Sequence, residues 1–142
     1  KVDNNTNKKV TLFIGTIDYL RKNTLLDLVK KTEEENGELW VIGKENGVTF
    51  KEISGGEEHV KYFGIQNKVE EFLNQADETA GILLGRTTIE GWMCGKGGWI
   101  YDVDDKGNIL NKTFHEIPND IDKFHADVVV KEIIEEYKEV LK

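Results

Sequence analysis

Residues 38–53 read ELWVIGKENGVTFKEI. Two runs rich in β-formers, ELWVIG and VTFKEI, flank Lys44-Glu45-Asn46-Gly47. Asn-Gly between such runs is a strong short-range hairpin signal, because a type I′ turn needs positive φ at both central residues. The pattern predicts two antiparallel strands with Asn46-Gly47 at the tip. Residues 98–104 (GWIYDVD) and 108–114 (NILNKTF) repeat it about Asp105-Lys106-Gly107. Two hairpins set the expectation for the whole chain, a mostly antiparallel sheet.

The flanking segments extend that sheet. Residues 10–14 (VTLFI), ended by Gly15, are apolar on both faces and predict an inner strand. Residues 81–86 (GILLGR) read the same way, and residues 59–63 (HVKYF) predict a further strand. A helix is predicted over residues 24–35, with Thr24 and Asp27 spaced as a capping box. Leu25, Leu28, Val29 and Thr32 share one face of it, and Asn36-Gly37 stops it in a left-handed conformation. Residues 66–75 predict a short helix with Val69, Phe72 and Leu73 inward. A last helix is predicted after Pro118, capped by Asn119, with Ile121, Phe124, Val128, Ile133, Tyr137 and Leu141 near helical spacing. The sum is an α+β fold of six or seven mostly antiparallel strands and about three helices, the helices packed mainly on one face. Residues 1–9 read as a flexible tail and residues 10–142 as one domain.

Charge narrows the function classes. A formal net charge of -8 argues against a nucleic-acid or anionic-membrane surface, both of which need a basic patch. It suits a basic protein partner or a small soluble ligand, and a homo-oligomer is compatible with it. Arg21 and Arg86 are the only arginines, so each stands out as a candidate bidentate anion donor. The single Cys94 rules out an internal disulfide and fits a reducing, cytoplasmic setting. No apolar run reaches the ~18 residues of a membrane span.

No motif diagnostic of catalysis or of metal binding emerges, so no catalytic residue, metal ligand or cofactor is assigned. Asp102, Asp104, Gly107 and Asn108 have partial calcium-loop spacing, but an EF-hand would place Lys106 and Thr113 at ligand positions. Gly95-Lys96-Gly97-Gly98 leads into a strand, whereas a phosphate-cradling loop leads into a helix. His59, His115 and His125 show no metal spacing with Cys94. Glu90 and Glu116 are candidate general acids that nothing separates from the many other carboxylates.

Two constellations remain. Gly15-Thr16 with Arg21 closes one strand, and Arg86-Thr87-Thr88 closes another. Amides, hydroxyls and guanidinium groups together suit an anionic small molecule. The other is aromatic. Four glycines among residues 91–98 bracket Trp92, which predicts a mobile loop, while Trp99 and Tyr101 share one face of a strand. Arg86, Trp92, Trp99 and Tyr101 are therefore expected to border one binding surface. The leading expectation is a non-enzymatic inhibitor of the immunity or counter-defence type. It would neutralise a basic partner through an acidic, aromatic surface. The alternative is a protein that binds a small anionic ligand such as a nucleotide, in a pocket lined by Arg86, Trp92 and Trp99. A small hydrolase using Cys94 or a histidine ranks third.

Overall fold

The computed structural model describes residues 8–82 and 86–117. Most of the expected tail and all of the expected last helix lie outside the described residues. Of the strand expected over 81–86, Gly81 and Ile82 are strand, residues 83–85 lie outside the described residues, and Arg86 opens a helix instead.

The chain opens with strand β1 (Val10–Ile14), helix α1 (Tyr19–Glu34) and strand β2 (Glu38–Ile42). Helix α2 (Phe50–Ser54), strand β3 (Val60–Gly64), helix α3 (Glu70–Gln75) and strand β4 (Glu78–Ile82) follow. Helix α4 (Arg86–Met93), strand β5 (Gly98–Val103) and strand β6 (Ile109–His115) complete it. The six strands form one sheet in the order β3-β2-β1-β4-β5-β6. The first four pairings are all parallel, and only β6 runs antiparallel, on the edge.

This overturns the mostly antiparallel α+β expectation. The error sits in residues 48–53. Thr49 is an N-cap, not a strand residue: its hydroxyl accepts from the Glu52 amide while the Glu52 side chain accepts from the Thr49 amide. That reciprocal capping box starts α2 at Phe50. Gly47 does adopt positive φ, at 83°, but its turn feeds a helix instead of a returning strand. The hairpin between β5 and β6 forms as expected, with Trp99 opposite Phe114, Tyr101 opposite Lys112, and Gly107 at φ 81° in the turn.

Parallel strands need crossover helices, and these cover both faces of the sheet. Phe13, Leu39, Val41, Ala80 and Tyr101 pack with Leu25, Leu28 and Val29 of α1 and Ile53 of α2. Val10, Leu12, Trp40 and Ile42 point the other way, toward Phe72 and Leu73 of α3. Alternate residues of β1 thus serve opposite cores, which is why VTLFI is apolar throughout. On the α3 side, Trp40, Phe63 and Phe72 meet edge to face, with centroids 5.0 to 6.4 Å apart.

Two further local readings are corrected. Helix α1 begins five residues ahead of Thr24, capped by Asp18, whose carboxylate accepts from the Arg21 amide. Thr24 is buried in mid-helix. The expected mobile loop around Trp92 is in its first half the helix α4. Gly91 and Gly98 serve close packing there: a Cβ on Gly91 would lie 2.8 Å from Thr79 Cγ2, and one on Gly98 would lie 2.2 Å from Thr79 Oγ1. The left-handed stop of α1 holds, with Asn36 at φ 54°.

Candidate functional site

The winding reverses between β1 and β4. From β1 the chain moves outward through β2 to β3, then returns by α3 to the other flank of β1 and moves outward again through β5. At such a switch point the loops leaving the two central strands part in opposite directions. A crevice opens there, outside the carboxyl ends of the strands.

One side of that edge is closed by backbone. The amide of Gly15 donates to Ile42, that of Ile17 to Lys44, that of Asn46 to Ile17 and that of Gly43 to Gly64. Gly43, at φ 149°, lies so close that a Cβ would stand 1.8 Å from the Gly15 carbonyl oxygen. The Tyr62 hydroxyl donates to the Gly43 carbonyl at 2.6 Å, and its ring stacks on Phe50. The loops after β1, β2 and β3 are therefore laced together.

The other side is open. A cleft of 330 Å³ is lined by Ile14 at the end of β1, Gln66, Asn67 and Val69 between β3 and α3, and Thr87 and Glu90 on α4. The Thr87 hydroxyl donates to the Ile14 carbonyl at 3.4 Å and joins α4 to β1. Amides, a hydroxyl and a carboxylate give the cleft both donors and acceptors, while Ile14 and Val69 supply apolar wall. Helix α4 carries no acidic residue in its first turn, so its partial positive charge is not offset from within. The amino end of α1 differs, because Asp18 occupies it and also pairs with the Arg21 guanidinium at 2.7 Å.

Of the residues singled out above, Trp92 does not share a surface with Trp99 and Tyr101. Arg86 is the first residue of α4, at the carboxyl edge. Trp92 lies in the last turn of α4 and is 7% exposed. Trp99 and Tyr101 face α1, on the opposite side of the sheet from α3 and α4. Tyr101 is fully buried, and its hydroxyl donates to Asp27 Oδ2 at 2.6 Å, where Lys112 also donates at 2.9 Å. Trp99 is half-buried, with the Lys31 ammonium 4.7 Å from its ring centroid and Phe114 edge-on at 5.4 Å. Burial and the Asp27 hydrogen bond push the Tyr101 hydroxyl well above the ordinary range. Burial opposes ionisation of Asp27, but hydrogen bonds from Tyr101 and Lys112 outweigh it and hold that carboxyl low.

Cys94, just past α4, lies against the α3-side core. Burial and the nearby Glu70 and Glu90 carboxylates push its thiol up, away from the reactive thiolate. The His59 Nε2 sits 2.9 Å from the Val29 carbonyl. Among the described residues, no group of three or more His, Cys, Asp or Glu is arranged to hold a metal ion. Asp104 accepts from the Lys106 and Asn108 amides and so ties the β5–β6 turn to itself. His125 lies outside the described residues. Two buried carboxylates, Glu38 and Glu78, stand at the opposite, amino edge of the sheet. Lys61 pairs with Glu38 at 3.3 Å, and Lys9 and Lys31 pair with Glu78 at 3.0 and 3.2 Å.

Sequence reasoning reached this edge at Gly15-Thr16 and Arg86-Thr87-Thr88, named Glu90 only as one possible general acid among many carboxylates, and missed Gln66 and Asn67. Glu90 carried a usable signal, three residues beyond Thr87 on one helix face. Gln66 and Asn67 join the site only through the crossover that returns α3 beside β1.

Strand order, helices on both faces of the sheet and the flanking cleft define a doubly wound, Rossmann-like α/β domain. Solved structures share this fold. Anabaena Alr3699/HepE in complex with UDP and glucose matches with a TM-score of 0.53 at 16% identity, over 71% of this chain and 31% of that one. The same protein in complex with UDP-glucose gives 0.52, at the same identity and coverage. WaaG, a glycosyltransferase involved in lipopolysaccharide biosynthesis, gives 0.50 at 18% identity, over 66% of this chain and 28% of that one. The likeness is one of fold, and the chain spans less than a third of the length of these proteins. No protein-family model and no curated protein matches the chain. No helix among the described residues is long and apolar enough to cross a membrane.

Proposed function

We propose that this chain is a ligand-binding domain that takes a nucleotide-like molecule at the switch-point cleft, with a hydroxylated ring against α4 and an anionic group at its amino end. The observation that carries this reading is a cleft with mixed donors and acceptors at the carboxyl ends of parallel strands, where the winding reverses. Glu90 offers a carboxylate to ring hydroxyls, and Gln66 and Asn67 offer amides. The first turn of α4 offers backbone amides to phosphate. UDP and UDP-glucose are the ligands named for the HepE structures of similar fold, which makes them the first probes to try.

The domain binds in this reading, and Cys94, whose thiol is pushed toward its protonated form, is not called on as a nucleophile. The inhibitor reading needs an exposed aromatic face. Trp92 and Tyr101 are buried and do not supply one. A cytoplasmic location fits a lone thiol and a nucleotide ligand.

Thermal unfolding with and without ligand tests the proposal. Saturating UDP or UDP-glucose should raise the midpoint of the wild-type protein, by about 2.7 kcal/mol of added stability at a hundredfold excess over Kd. Inorganic phosphate alone should raise it less. A midpoint indifferent to both nucleotides counts against the reading.

A further inference from the structure

We draw no further inference here: the strongest candidate, the apolar groove between α3 and α4 lined by Val69, Leu73, Met93 and Cys94, shares Val69 and Glu90 with the cleft already described, and nothing in the structure shows what covers it.

Discussion

The Thr87 hydroxyl donates to the carbonyl oxygen of Ile14, 73 residues earlier in the chain, at 3.4 Å. This contact links the first turn of α4 to the end of β1, the two elements that bound the cleft. At that length the bond is weak, and its value is positional. Thr87→Val should cost under ~1 kcal/mol of stability, the low end for a neutral hydrogen bond. It should weaken nucleotide binding more than that. Urea unfolding paired with a binding titration separates the two effects, and equal losses in both would deny the contact a positioning role.

Thr49→Ala removes the capping box of α2. A lost N-cap costs about 1 kcal/mol. Thr49 is exposed, so little packing confuses the measurement. Had residues 48–53 been a hairpin strand, replacing a β-branched residue there by Ala would not be rescued by Ser. In the present structure Thr49→Ser should retain nearly full stability, because its hydroxyl caps equally well.

Much of the fold was legible in residues that serve one role only. The runs VTLFI and ELWVI were read as strands, and the β5–β6 hairpin was placed by its turn chemistry. The failure at VTFKEI has a local physical cause. Its composition favours a strand, and Thr49 and Glu52 have the spacing of a helix start. The Asn46-Gly47 signal tipped the choice, yet Gly47 supplies positive φ to a strand-to-helix turn just as well. One helix misread as a strand turns a parallel crossover into a hairpin, and the topology follows it. The site shows the same division. Thr87 and Arg86 were reached because the sequence reading ended a strand at them, although they open α4, whereas Gln66 and Asn67 are brought beside them by a crossover that no local pattern encodes. Glycines suggested mobility around Trp92. In fact Gly91 and Gly98 let backbone press against Thr79.

Gly43→Ala should be among the most damaging single changes. Its Cβ would fall 1.8 Å from the Gly15 carbonyl oxygen, at φ 149°, so the laced loops after β1 and β2 must part. Strain of this kind costs on the order of 1–3 kcal/mol from the backbone alone, and the steric overlap adds to it. Gly55→Ala is the control: it also has positive φ, at 59°, but nothing lies within 4 Å of its added Cβ. Similar losses in the two variants would contradict the close approach.

Tyr101 and Asp27 give stability a two-sided pH dependence. The folded-state pKa of Tyr101 is raised, so its contribution is complete below the ordinary tyrosine value of about 10 and is lost as pH rises above it. Asp27 is shifted the opposite way, and its contribution is complete above the ordinary value of about 4 and is lost as pH falls below it. Tyr101→Phe should shrink both the alkaline and the acid loss, with Tyr62 and Cys94, whose folded-state values are also raised, retaining part of the alkaline one. Denaturant midpoints measured from acid to alkaline pH check both limbs. An unchanged alkaline limb in Tyr101→Phe would place its origin elsewhere.

The central claim, that the switch-point cleft holds a nucleotide-like ligand, is tested most directly by calorimetric titration of the wild type and Glu90→Gln with UDP-glucose. The account predicts saturable one-site binding to the wild type. In Glu90→Gln the affinity should be about tenfold or more weaker, the cost of losing a charge-assisted hydrogen bond to the ligand. Absence of binding to the folded wild type, or equal affinity in the two proteins, would contradict it.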